Sequence, residues 1–339
     1  MDGRTDRSCR FPFHASIPPM KAVLLAFTLL AAMIIASLLT GVSPVSVGAL
    51  LRGDFEGNTA VVIAASRIPR TLALLLAGAG LAVSGSIMQM LARNRFVEPS
   101  TAGTADSASL GMLLVMLLAP GLPVFAKMLV AAAFALGGTA LFLAVLERIP
   151  LRSALLVPLV GIMLGGVISA VATFLAYRYD LMQSLGAWSN GDFSMVLSGR
   201  YELLWIAAGL TVIAYFTAAR FTIAGLGEAV ARNVGLDYRA VVTLGLVIVS
   251  LVTASVVVTV GMIPFLGLVI PNVVSLMAGD NLRRTLPWVA FSGAALVMFC
   301  DLLGRLIIFP YEIPIGLTMG VIGSAFFLYL LLGRRAYAA

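Results

Sequence analysis

The sequence predicts an all-α polytopic membrane protein with about ten transmembrane helices. Of its 339 residues, 61% are hydrophobic and only 11% are charged, and the mean hydropathy is +1.06, far outside the range of soluble domains. The apolar stretches run for about 17 to 25 residues, the length of a spanning helix, without the alternation of a barrel strand. Residues 240–279 carry no charged side chain, which predicts two spans that fold back at Gly261 and Pro264.

The spans follow one another along the chain with short connections. Residues 1–20 form a polar, basic tail, and residues 21–335 are expected to form a single transmembrane domain. The first span follows Lys21, and no small-residue cleavage site separates it from the later spans, so we expect a retained helix and not a signal peptide. The ten predicted spans are residues 22–41, 71–92, 105–119, 125–146, 153–176, 202–219, 240–260, 264–279, 285–307 and 313–333.

The distribution of basic residues predicts the orientation of this bundle. An even number of spans places both termini on one side, and that side collects fifteen of the 22 Lys and Arg residues. The positive-inside rule then predicts that both termini are cytoplasmic. Several spans are short or interrupted by Gly and Pro, as in transporters whose broken helices line a path.

Two groups of charged residues lie at the opposite, outer side. Asp301 and Arg305 are one helical turn apart, which predicts an ion pair; a proton relay is the alternative, disfavoured because no chain of intramembrane acids accompanies the pair. Glu312 precedes Pro314, where a helix N-terminus suits a carboxylate. Arg67 and Arg70 could either reach lipid headgroups or bind carboxylates of an external protein.

The longest inner connection, residues 220–239, has the pattern of a turn, a short amphipathic helix and a second turn. Such a segment is either an interfacial helix or the contact for a cytoplasmic motor. The sequence has no phosphate-binding loop, no His-Glu-x-x-His motif and no Gly-x-Ser-x-Gly motif. We therefore expect no enzymatic activity in this chain, and any ATP hydrolysis in a separate ATPase subunit.

The remaining composition predicts no cofactor, metal site or nucleic-acid contact. The only cysteines, Cys9 and Cys300, and the only histidine, His14, have no metal-ligand spacing. The net charge of +7 follows from the orientation of the spans and from contact with membrane lipid, so it does not indicate binding to nucleic acid.

A set of motifs, in order over roughly residues 45–333, resembles the FecCD family of ABC-importer permeases, which move iron–siderophores, haem and vitamin B12 across the bacterial inner membrane. The motifs are Arg67 to Arg70 with a Gly/Ala-rich helix ending at Gln89, Arg93-Asn94 with Glu98-Pro99, Gly227-Glu228 with Gly235-Leu236, residues 261–271, residues 280–283, residues 295–305 and residues 312–316.

The resemblance implies a type II importer permease of about ten helices in the bacterial inner membrane. It implies a second, homologous permease around a central path, two cytoplasmic ATPase subunits and a periplasmic siderophore-binding protein. It also assigns roles to three groups of residues. These are Arg67, Arg70 and Arg305 for docking of the binding protein, Glu228, Arg232, Gly235 and Asp237 for ATPase coupling, and Asn94, Phe96 and Ser153 for the cytoplasmic gate.

Two departures from the family pattern point to one of its branches. Arg95 and Phe96 stand where the family commonly has Pro-Leu, and Asn272 stands where it commonly has His. Both resemble the branch for catecholate-type siderophores such as vibriobactin, anguibactin or petrobactin, in which two different permeases form a heterodimer. We therefore expect a ferric siderophore as substrate; import of vitamin B12 or haem is the alternative. An ion-coupled secondary transporter is less favoured, and a non-transporting scaffold does not account for the motifs.

Overall fold

The computed structural model describes residues 20–41, 61–149 and 156–335, so residues 1–19 and the predicted gate residue Ser153 lie outside the described residues. The regular elements among the described residues are all helices, and these residues contain no strand. Its helices, with their bounds, are α1 (Met20–Leu39), α2 (Ile68–Leu91), α3 (Thr104–Leu118), α4 (Val124–Arg148), α5 (Leu156–Arg178), α6 (Met182–Ser189), α7 (Leu204–Gly225), α8 (Glu228–Asn233), α9 (Tyr238–Val260), α10 (Leu266–Ala278), α11 (Leu282–Ile307) and α12 (Ile315–Arg335).

Ten of these helices correspond in order to the ten predicted spans, which confirms the predicted fold class. Within the described residues, six helical segments are long and apolar enough to cross a bilayer, and four further apolar helices are shorter. The short helix α8 falls in the inner connection where a short helix was predicted. The eight-residue helix α6 was not predicted, because it is too short to show an apolar window.

Helix α2 lies at the centre of the bundle and packs against α7, α9, α10 and α11. Glycines allow two of these helices to touch α2 backbone to backbone. A Cβ atom on Gly78 would lie 2.7 Å from the carbonyl oxygen of Gly293 in α11, and one on Gly85 would lie 2.1 Å from that of Gly267 in α10. The Gly- and Ala-rich composition therefore serves close helix packing, as in other membrane bundles.

Two boundaries differ from the prediction at charged residues. Helix α2 was expected from residue 71, but it begins at Ile68 and continues from a π-helical turn, Ile63–Arg67, so Arg67 and Arg70 lie within helical structure. Pro69 is compatible with this because it occupies the first turn of α2. Helix α7 was expected to end at residue 219 but passes through Arg220 to Gly225, because a long arginine side chain tolerates a helical position near the membrane surface.

The predicted fold-back between residues 260 and 264 is confirmed. Helix α9 ends at Val260, and Gly261 and Phe265 take positive φ angles of 87° and 62° before α10 begins. With 13 residues, α10 is about 20 Å long, shorter than the ~30 Å hydrocarbon core, and it starts inside the bundle beside Gly85.

Backbone segments near residues 188–192, 260–262 and 316 lie inside the protein and are hydrogen-bonded to one another. Met262 N–H donates to Trp188 O at 2.9 Å, Asp192 N–H to Val260 O at 2.8 Å, and Gly316 N–H to Gly191 O at 3.1 Å. Non-helical backbone at membrane depth is tolerated where protein groups satisfy it in this way.

Candidate functional site

A cluster of four charged residues lies where α2, α11 and the start of α12 meet, which we call the Arg70 end of the bundle. The Arg70 guanidinium donates to Asp301 Oδ1 at 2.7 Å and to Glu312 Oε2 at 2.7 Å. Arg305 pairs with the other carboxylate oxygen of Asp301, so the ion pair predicted from their spacing is confirmed. Asp301 is only 1% exposed and bridges two arginines. This carboxylate therefore holds α2 and α11 together.

Two of the predicted docking arginines also bind the last turn of α1. Arg67 Nη1 donates to Leu38 O at 2.6 Å and to Leu39 O at 3.1 Å. Arg305 Nη1 donates to Ser37 O and to Thr40 O, each at 3.2 Å. Carbonyl groups at the end of a helix lack intrahelical partners and carry partial negative charge, so both arginines satisfy and neutralise this end of α1.

The three predicted docking residues therefore differ in accessibility. Arg67 and Arg305 are 6% and 5% exposed, and both are engaged inside the protein. The Arg70 side chain is 12% exposed and lies beside Glu312, whose side chain is 31% exposed. Among the charged groups of this cluster, the Arg70–Glu312 pair is the part nearest to the surface. The docking role of all three arginines stays a prediction.

The predicted coupling residues lie together at the opposite end, which we call the Glu228 end. Glu228 pairs with Arg232 at 2.6 Å along α8. Gly227 and Gly235 flank this helix with positive φ angles of 108° and 76°, and Asp237 caps α9 by accepting from Ala240 N–H at 3.1 Å. These residues therefore determine the shape of the segment. Glu228 and Arg232 form an ion pair, the two glycines form turns, and Asp237 caps a helix.

Three exposed apolar side chains, which we call the apolar row, lie in helix α8 or next to its ends. Leu226, Val230 and Val234 follow one another at intervals of four residues and are 66%, 44% and 66% exposed, whereas Ala231 is buried against the bundle. Val230 lies within α8, whereas Leu226 precedes the turn at Gly227 and Val234 follows the last residue of the helix. The segment has the surface of a protein contact, with an apolar row beside an ion pair.

The predicted gate residues Asn94 and Phe96 lie in the connection between α2 and α3. Both are buried, and Phe96 N–H donates to Asn94 Oδ1 at 2.8 Å. The Phe96 ring packs edge-on against Phe327 of α12, with 5.8 Å between the ring centroids. Ser153, the third predicted gate residue, falls outside the described ranges, so the structure brings two of the three together.

Sequence reasoning missed a buried acid in the same connection. Glu98 is 1% exposed, and its carboxylate accepts from Phe265 N–H at 2.7 Å and from the Ser100 hydroxyl, while the N–H groups of Gly267 and Leu268 also face it. It caps the N-terminus of α10 inside the bundle, where a carboxylate is favourable.

Glu98 is therefore a buried acid in addition to Asp301, but its contacts do not join the two into a chain of acids. Asp106, in the first turn of α3, is another acid that the sequence reasoning did not consider. Glu98 is adjacent to a proline in a connection, and this local pattern does not reveal that the connection folds back against α10. Among the described residues, no group of three or more His, Cys, Asp or Glu side chains could hold a metal ion.

The architecture defines the class of protein. The fold matches a solved inward-facing ABC transporter of the metal-chelate type with a TM-score of 0.76 and 26% identity, over 92% of this chain and 99% of that one. A more distant match, a Streptococcus pneumoniae PsaBC complex, has a TM-score of 0.54 and 16% identity and covers 76% of this chain and 88% of that one, so it supports the fold alone. The chain has the fold of a type II ABC-importer permease.

The particular family follows from the sequence. The family model described as the FecCD transport family matches residues 29–333, and the chain belongs to this family. The petrobactin import system permease protein YclN of Bacillus subtilis is 50% identical over 92% of this chain and 98% of its own. The ferric-anguibactin permease FatD of Vibrio anguillarum is 43% identical over 83% and 90%. A vitamin B12 permease of Serratia proteamaculans is 35% identical over 78% and 80%.

Proposed function

We propose that this chain is the permease subunit of an ATP-driven importer that carries a ferric siderophore, of the catecholate type, across the bacterial inner membrane. The observation that carries the proposal is the extent of the likeness to the petrobactin permease: half of the residues are identical and nearly the whole relative is covered. The departures at Arg95, Phe96 and Asn272 support the same branch.

The two polar ends of the bundle bind different partners in this assembly. The Arg70 end faces the periplasm and receives the siderophore-binding protein, with Arg70 as the first contact and Arg67 and Arg305 behind it. The Glu228 end faces the cytoplasm, and the apolar row at α8 and its ends enters one of two ATPase subunits, which hydrolyse ATP. A second, different permease completes the path, and both chain termini are cytoplasmic.

A change in shape driven by the ATPases then moves the gate. Closure of the ATPase pair pushes α8, and because α8 packs on α7 and α9, the push reaches the helices that surround α2. The path opens alternately to each side because nucleotide binding shifts the population between two arrangements of the helices. Asn94, Phe96 and Ser153 close the cytoplasmic side in the resting state.

Reconstitution tests the substrate and the energy source. The chain, its partner permease, the ATPase and the binding protein are placed in liposomes, and uptake of ferric catecholate siderophore, cobalamin and haem is compared with ATP inside. We expect uptake of the ferric catecholate, and none when the ATPase carries an inactivating substitution. Uptake of cobalamin or haem alone would replace the substrate assignment, and uptake driven by a proton gradient without the ATPase would overturn the importer class.

A charge reversal tests the docking assignment. Arg70→Glu should weaken binding of the siderophore-binding protein at least tenfold in a surface-binding assay, because it removes an arginine contact and adds repulsion. Arg178→Glu, at an exposed arginine on the same end without an ion pair among the described residues, is the matched control. Equal losses of affinity in the two variants would mean that only the overall electrostatic field of this surface matters. No loss of affinity in Arg70→Glu would refute docking at this residue.

A further inference from the structure

The two departures from the family pattern, at positions 95 and 272, contact each other. Asn272 Nδ2 donates to Arg95 O at 2.8 Å and to Leu268 O at 2.7 Å, and Asn272 is 6% exposed. These residues are 177 positions apart in the chain. The amide of Asn272 therefore ties the main chain of the α2–α3 connection to α10.

The side chain of Arg95 makes a second attachment to the same helix. Its guanidinium pairs at 2.5 Å with Asp280, two residues after α10 ends. Asp280 in turn accepts from the hydroxyl of Ser275, in the last turn of α10. A proline at position 95 could not supply this cation, so the ion pair depends on the departure.

Glu98 supplies a third attachment, through its contacts with the first N–H groups of α10. Residues 93–99, which we call the gate segment, are thus attached at their start, by Arg95, and near their end, by Glu98. Asn94 and Phe96 lie on this attached stretch. A cavity of about 250 Å³ lies between this segment and α10, bordered by Asn94 and Arg95 on one side and by Asn272 and Asp280 on the other. The contacts of Arg95 with Asn272 and with Asp280 therefore join the two walls of this cavity.

We propose that Arg95, Asn272 and Asp280 are positioning residues of the gate, which fasten the gate segment to α10 so that the two move as one body during transport. This inference rests on the proposed function, because it takes Asn94 and Phe96 as gate residues. Through the edge-on contact of Phe96 with Phe327, the position of this body relative to α12 decides how far the path is closed.

The two attachments at positions 95 and 272 differ in their environment, which makes them separable. The side chains of Arg95 and Asp280 are 45% and 60% exposed, so salt screens their attraction, and its loss changes an equilibrium only about two- to fivefold. Asn272 is buried, and salt does not screen a buried neutral hydrogen bond in the same way. Salt dependence therefore separates the two attachments from each other, and the transport readout separates a gating role from a purely structural one.

Hydrogen exchange on the purified permease tests the attachment without any substrate. We expect Arg95→Gln to raise the exchange rate of the gate segment about two- to fivefold at low salt, and this increase should vanish at about 1 M salt. Asn272→Ala should raise the rate at both salt concentrations. The double variant Arg95→Asp with Asp280→Arg should restore the wild-type rate, and Arg284→Gln, at an exposed arginine without an ion pair in the described part, is the control.

The reconstituted importer then tests the gating role, with ATP hydrolysed per molecule imported as the readout. We expect this ratio to rise two- to fivefold in Arg95→Gln at low salt and to return in the charge-swapped double variant. Unchanged exchange in both single variants, or changed exchange with an unchanged ratio, overturns the proposal. If the wild-type assembly imports a different chelate, the proposed substrate is wrong. The gating role is then tested separately, by measuring the same ratio with that chelate.

Discussion

Replacing Asp301 by Asn tests how the Arg70 end of the bundle is held together. The amide keeps the size of the carboxylate but removes its charge, and two arginines then face each other without the group that bridges them. Breaking a buried ion pair by removing one partner costs about 3–5 kcal/mol, because an uncompensated charge stays buried. With Asp301 1% exposed and Arg70 and Arg305 both close to its oxygens, we expect a loss of about 3 kcal/mol or more.

Glu312→Gln is the matched control, because it changes the same functional group on the same arginine. Its side chain is 31% exposed, and ion pairs near the surface contribute only about 0–1 kcal/mol. Both variants are purified in the same detergent, and their unfolding is followed by heating and by denaturant titration. The reasoning is refuted if Asp301→Asn is no more destabilising than Glu312→Gln, since burial of the bridging carboxylate would then not matter.

Two further predictions concern the interior around α10. Gly85→Ala should lower stability by about 1–3 kcal/mol in the same unfolding assay, because its methyl group would overlap the Gly267 carbonyl and force α2 and α10 apart. Gly137→Ala, with nothing within 4 Å of its added carbon, should be neutral or stabilising, and equal losses at the two sites would contradict the close contact. Glu98→Ala should cost about 1–3 kcal/mol by leaving the Phe265 N–H unpaired, whereas Glu98→Gln keeps an acceptor and should lose less; a neutral Glu98→Ala would show that this cap contributes nothing.

The sequence predicted most of this fold because the thickness of a bilayer dictates the length of its helices. The order of the ten helices, and the fold-back between α9 and α10, follow from charge-free windows and from Gly261 and Pro264. Boundaries at arginines were less predictable. Arg70 and Arg220 end their charge-free windows, yet both lie inside helices, because a helix can continue wherever a long basic side chain finds a partner or reaches the surface.

The candidate site was predicted where its contacts are local and missed where they are distant. Arg305 and Asp301 are four residues apart, and their pairing follows from helical geometry. Arg70 meets the same carboxylate across 231 positions, and Glu98 meets Phe265 across 167. No spacing rule reaches that far, because such contacts depend on which helices pack together and on where a connection folds back.

The end of α1 adds a condition to any docking at Arg67 or Arg305. Both guanidinium groups already donate through Nη1 to carbonyl oxygens at the end of α1, so a carboxylate from another protein would bind beside these carbonyl groups and compete with them. Such competition weakens the contacts that hold the end of α1, which among the described helices packs mainly on α11. We therefore expect engagement of these arginines to loosen the end of the first helix, and a probe attached near Thr40 would report this change.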